Sequence, residues 1–173
     1  MTLPSKPVPA FGFLTVVEQV DIGLVGGYLL LNAAGRPLEF HCTAPVKATR
    51  TQEILYGRTL RPYLCCDQIG QALLAKSKAD VQLVCVDDAS LVELRSFTAA
   101  PVALLLAEQN AVPSDGVEFA LGSFNMWMPS SQAAGRDTIV RRYESLTAGL
   151  DLLEPFDRIR EALAEAHKAV KAA

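Results

Sequence analysis

The pattern of apolar and polar positions is clearest over residues 26–56, GGYLLLNAAGRPLEFHCTAPVKATRTQEILY. Tyr28 to Leu31 is apolar at every position, as in a strand covered on both faces. Asn32 to Gly35 supplies turn residues, and Pro37 follows at a strand start, where a missing N–H is tolerated. Leu38, Phe40 and Cys42 then alternate with Glu39, His41 and Thr43, which predicts a strand with one buried apolar face and one polar face. Pro45 ends it. Thr49 and Gln52 have capping-box spacing, so a helix is expected over about residues 50–56, with Gly57 as its stop.

Outside this unit the periods are shorter. Residues 1–10 read as an extended, proline-stiffened arm, and Phe11 to Gln19 as a first strand. Asp21 to Gly27, with three glycines, reads as a turn or bulge. A second helix is expected from near Pro62 to about Lys78, with Cys65, Ile69, Ala72 and Leu73 on its apolar side. Val81 to Val86 and Pro101 to Ala107 are short apolar runs expected as buried strands. Between them Ser90 and Glu93 have capping-box spacing, predicting a short helix through about Ser96. Strand, helix, strand makes the two strands parallel neighbours. Asn110 to Gly116 reads as a loop, Val117 to Leu121 as a further strand, and Gly122 to Gly135 as an irregular segment. Helices over about Asp137 to Leu152 and Pro155 to Lys171 close the chain, the last with Phe156, Ile159, Leu163 and Val170 on one side.

The expected fold is therefore mixed α/β. An N-terminal antiparallel hairpin and a short parallel β-α-β unit share one sheet of five or six strands, with helices on both faces and amphipathic helices at the C-terminus. Residues 1–135 form the α/β domain, and residues 136–173 a helical segment docked on it as part of one structural domain.

Composition adds bounds. With 173 residues, 50% of them apolar, the chain buries roughly 70% of its unfolded surface and needs no disulfide or metal to make a core. A formal net charge of −3 argues against a general nucleic-acid coat, so nucleic acid is an unexpected partner. The start MTLPSKPVPAFGF has no signal-length apolar run, and no stretch approaches the ~20 residues of a bilayer span, so the expected location is cytoplasmic, with no membrane. Cys42, Cys65, Cys66 and Cys85 lack C-x-x-C spacing and read as small buried hydrophobes in a reducing compartment. No cofactor is implied.

Four places carry candidate chemistry. The helix entry presents Lys47 and Arg50, with Arg58 and Arg61 following, and cations beside free N–H groups suit an anion. The plainer reading is that Thr49 caps the helix and the cations pair with Glu39, Glu53 or Asp67. No G-x-x-x-x-G-K phosphate loop occurs. Asp87 and Asp88 directly follow a buried strand, where α/β sheets gather ligands, and are metal candidates. The plainer reading is turn and cap chemistry, since both residues are favoured just before a helix, where they complement its dipole. His41 completes the ligand-binding set; strand alternation puts it opposite Cys42, which rules out a nucleophile–base dyad between them. Phe124, Met126, Trp127 and Met128 are candidate partner-binding residues, because methionine and aromatic side chains make adaptable contact surface. Their alternative is core filling.

An apolar strand, N-x-x-G-R-P, an alternating strand and a helix resembles, over residues 26–56, small regulatory domains of the roadblock or longin kind. That is a likeness of fold, and it assigns no function. The expected function is a non-catalytic protein-interaction module or subunit of a larger cytoplasmic assembly, with another chain or a second copy as partner. The alternative is an anion- or phosphate-binding protein, or a Mg²⁺-dependent enzyme, using the basic helix entry with Asp87 and Asp88.

Overall fold

The computed structural model describes residues 8–108, 111–146 and 150–172. Most of the expected N-terminal arm, Asn110 of the expected loop and residues 147–149 of the expected penultimate helix lie outside the described residues.

Seven strands form one mixed sheet in the order β3-β2-β1-β4-β5-β7-β6. They are β1 (Pro9–Gln19), β2 (Gly23–Leu31), β3 (Pro37–Cys42), β4 (Asp80–Val86), β5 (Val102–Leu105), β6 (Gly116–Leu121) and β7 (Phe124–Pro129). β1, β2 and β3 pair antiparallel as a meander. β4 joins the other side of β1 in parallel, and β5 joins β4 in parallel. β7 and β6 then complete the sheet as an antiparallel hairpin. The carboxyl ends of β1, β4 and β5 consequently lie together at one edge.

Helices cover both faces, as the two apolar faces of such a sheet require. On one face runs a nearly continuous helical stretch: α1 (Arg50–Tyr56), the single turn α2 (Leu60–Pro62), a π-helical segment Tyr63–Gly70 and α3 (Gln71–Lys76). The 3₁₀ segment Ala89–Phe97 joins it. Leu64, Ile69, Leu73, Leu91 and Leu94 pack there on Leu14, Tyr28, Leu30, Val84 and Val86. The opposite face takes α4 (Arg136–Leu146) and α5 (Glu154–Ala172). Phe156, Ile159 and Leu163 of α5 pack on Phe13, Leu29 and Cys85. Each such side chain contributes roughly 1.5–3 kcal/mol by leaving water. Phe13 and Phe156 meet edge to face at 5.6 Å and 82°.

Two differences from the sequence reading have clear causes. Gly26 and Gly27 sit inside β2 rather than in a turn, which the reversal at Val20 to Ile22 makes instead. A Cβ on Gly26 would strike Ile69, and one on Gly27 would strike Ile159. The missing side chains let both helical layers close on the same strand. The seventh strand, β7, arises from the segment expected to be irregular. Its alternation is hidden because both faces are apolar: Trp127 enters one core while Met126 and Met128 enter the other.

β3 departs further. Leu38, Phe40 and Cys42 are exposed, whereas Glu39 and His41 are the half-buried pair. β3 is an edge strand, and α5 covers β1 and β2 without extending over it. Glu39 instead faces the end of α3, where the Lys78 N–H donates to its Oε1 at 3.1 Å. Cys65 and Cys66 are buried, as expected, and the Cys66 thiol donates to the Ser90 carbonyl at 3.0 Å. The N-cap of the 89–97 segment is Asp88, whose Oδ1 accepts the Ser90 N–H at 2.8 Å, rather than Ser90 itself.

Candidate functional site at the carboxyl edge of the sheet

Strand alternation along β4 continues past its end. Cys85 points into the α5 layer and Val86 into the layer of α1–α3. Asp87 and Asp88 keep that order. The Arg160 guanidinium of α5 donates to Asp87 Oδ2, and the Arg61 guanidinium of α2 donates to Asp88 Oδ2 at 2.7 Å. The neighbouring carboxylates are thus tied to different helical layers.

Three clefts run along this edge, and the two ion pairs stand between them. A central cleft of about 480 Å³ is lined by Thr15, Val16, Asp87, Asp88, Ala89, Leu104, Ala111 and Arg160. A second of about 440 Å³ shares Asp87 and Arg160 and adds Phe156 and Asp157. A third of about 470 Å³ holds Arg61 and Lys47 among Glu18, Asp21 and Glu53.

The two aspartates differ in electrostatics. Burial pushes the Asp87 carboxyl above its ordinary range, and the Thr15 hydroxyl and Arg160 pull back only part of that shift. Its Oδ1 is buried without a full hydrogen bond; Thr15 stands beside it. Burial also works to raise Asp88, but Arg61 and the Ser90 N–H overcome it and hold that carboxyl below its ordinary range. The same pairing raises Arg61.

Of the expected site residues, the fold brings Arg61 to Asp88 and leaves Asp87 next door. Lys47 reaches the Arg61 cleft. Arg50 is exposed and pairs with Glu53 at 3.1 Å, and Thr49 caps α1 with the expected reciprocal bonds to Gln52. Arg58 is exposed in the turn after α1. His41 lies on β3, its Nε2 2.8 Å from Glu39 Oε2, which draws the Glu39 carboxyl down. It lines none of the three clefts. The groups on which the Mg²⁺-enzyme reading relied are therefore scattered. Among the described residues no group of three or more His, Cys, Asp or Glu side chains is placed to hold a metal ion.

Met126, Trp127 and Met128 are buried core residues, with Trp127 only 5% exposed, and Phe124 is half-buried. The three buried side chains fill the core, while Phe124 lines the cleft beside Tyr143. Thr15 and Arg160 were missed in the sequence. Arg160 is separated from Asp87 by 73 residues, and its only local signal is a basic position beside the apolar stripe of α5. No helix among the described residues is long and apolar enough to cross a membrane.

No family model matches the sequence, and no curated protein matches it. Among solved structures the chain is similar to endonuclease V of Ciona intestinalis in complex with a 24mer DNA containing an inosine followed by a ribo-adenosine. The TM-score is 0.32 at 10% identity, over 77% of this chain and 56% of that one, so this chain spans little more than half of that enzyme's length. This neighbour stands against two expectations from the sequence, a non-catalytic protein-interaction module and nucleic acid as an unexpected partner, and neither is carried further. A likeness of this degree transfers neither activity, nor residues, nor a nucleic-acid partner to this chain.

Proposed function

We propose that this chain is a ligand-binding α/β protein whose site is the central cleft at the carboxyl ends of β1, β4 and β5. The observation that supports this reading is Asp87: a carboxylate at the cleft wall with one oxygen on Arg160 and the other buried without a full partner. A buried acceptor left unmade costs about 1–3 kcal/mol, a cost that a ligand N–H or O–H removes. The position is the one at which open α/β sheets take ligands. Arg160, about half exposed, offers its remaining N–H groups to an anionic or carbonyl group of the same molecule. The ligand is accordingly a small polar molecule carrying both a hydrogen-bond donor and an acceptor or anion. A reducing, cytoplasmic setting agrees with this reading, since all four thiols are unbridged.

The test is a thermal-shift and titration panel of amino acids, hydroxy acids, sugars and nucleosides against wild type, Asp87→Asn and Thr15→Val. A ligand that stabilises wild type and loses at least tenfold in affinity with Asp87→Asn supports the site. Stabilisation untouched by Asp87→Asn, or none at millimolar ligand, removes it.

A further inference from the structure

A separate cleft, of about 450 Å³, lies at the opposite end of the sheet, between the entry to β5, the end of β7 and the start of α4. Its polar lining is Arg95, Arg142, Thr98, Ser131, Gln132 and Thr138, and among the described residues no carboxylate lines it. The carboxyl-edge clefts all carry acids, as does the cleft beside Tyr143, with Glu144 and Asp151. In a chain of net charge −3 this is a local concentration of cation and hydroxyl groups. Arg95 is held in place: its Nη1 donates to Ser131 Oγ at 3.1 Å, and its side chain is only 26% exposed. Its Nη2 reaches Glu93 Oε1 at 3.5 Å from outside the cleft, the long limit of a hydrogen bond, and Glu93 is largely exposed. The Gln132 amide oxygen is buried without a partner, an acceptor for a ligand hydroxyl.

We infer that this cleft binds the phosphate group of a small hydroxylated phosphomonoester, with Arg95 and Arg142 on the phosphate oxygens and Gln132 on a hydroxyl of the ligand. Two guanidiniums supply several N–H donors to the tetrahedral acceptor, a match that point-like ammonium groups do not make. Thr98, Ser131 and Thr138 add hydroxyl donors around the same space. The apolar part of the lining combines the short Ala99, Ala100 and Ala134 with Pro101, Met128 and Ile139, a surface for a ligand body of a few carbons. The site is independent of the carboxyl-edge cleft, sharing no residue with it.

The experiment is calorimetric titration of the whole chain with inorganic phosphate, glycerol 3-phosphate and glucose 6-phosphate, at constant ionic strength set with chloride. Wild type is compared with Arg95→Gln, Arg142→Gln and Arg142→Lys, each first checked for unchanged circular dichroism and melting temperature. The expected result is saturable binding of a phosphomonoester, tighter than inorganic phosphate, weakened at least tenfold by either glutamine variant and less by Arg142→Lys. Inorganic phosphate binding as tightly as both esters removes the role of Gln132. Absence of saturable binding to wild type at 10 mM ligand, a concentration set by the millimolar range of weak sites, overturns the proposal. So does equal affinity in folded glutamine variants.

Discussion

The Arg61 guanidinium donates to Asp88 Oδ2 at 2.7 Å across 27 residues of sequence, while the other oxygen of the same carboxylate accepts the Ser90 N–H. Asp88 is therefore at once a helix cap and the tie between α2 and the sheet edge. Asp88→Ala removes both roles. The expected cost is about 1–3 kcal/mol, combining a lost cap with a lost charge-assisted bond. Asp88→Asn keeps an acceptor for Ser90 and is expected to cost less than half as much. Urea denaturation of the two variants measures the difference, and equal costs would show that the cap contributes nothing.

The adjacent carboxylates make opposite contributions to the pH dependence of stability. Asp88 is held below its unfolded value, so its contribution is present above about pH 4 and is lost as pH falls through the lower folded pKa. Asp87 is raised, so its contribution is fully present below about pH 4 and is lost as pH rises through the higher folded value. Relative to wild type, Asp88→Asn recovers stability on acidification below about pH 4. Asp87→Asn, in contrast, compares best with wild type at neutral pH and falls behind as pH drops toward about 4. Denaturation free energies from pH 3 to 7, a range bracketing the ordinary carboxylate pKa, separate the two. A gap to wild type that changes in the same direction with pH for both variants contradicts the assignment.

Only one of the four thiols is accessible. Burial pushes the Cys65 thiol up to about 11 and those of Cys66 and Cys85 to about 12, whereas Cys42 is exposed on edge strand β3. A thiolate reagent such as Ellman's is expected to modify one cysteine of the native protein quickly, and the rest only with unfolding. Cys42→Ser should abolish the fast phase. A fast phase that survives that substitution places an accessible thiol elsewhere.

The close approach at β2 has its own test. Gly27→Ala forces a methyl against Ile159, and overpacking of this kind costs about 1–3 kcal/mol. Ile159→Ala leaves a cavity and costs about 2–5 kcal/mol by itself. In the double variant the alanine methyl occupies part of the vacated space, so the combined loss is smaller than the sum of the two. Strict additivity in chemical denaturation would mean that the two positions do not touch.

How far the sequence disclosed this fold depended on whether the signal was local. Thr49 and Gln52 sit three residues apart and cap α1 by themselves, so that helix was legible to the residue. The two apolar runs around the 89–97 segment were legible as parallel strands because a helical segment lies between them, even though the connection is short for a crossover. β3 was misread because alternation shows that two faces differ, and only the position of α5 decides which one is covered. Phe124 to Pro129 failed for a related reason, since a strand buried on both faces shows no alternation. The site was half legible. Asp87 and Asp88 stand out as a pair after a buried strand, but Arg61 and Arg160 reach them only through the folded layers.

The most direct measurement is a ¹H–¹⁵N correlation spectrum, including the arginine Nε–H signals, recorded while the polar ligand panel is titrated into wild type and Asp87→Asn. Ligands that bind are expected to shift Thr15, Asp87, Asp88, Ala89 and the Arg160 Nε–H of wild type, and these shifts vanish in Asp87→Asn. Ligands whose shifts leave those residues still, or persist unchanged in the variant, would contradict the carboxyl-edge cleft as the binding site.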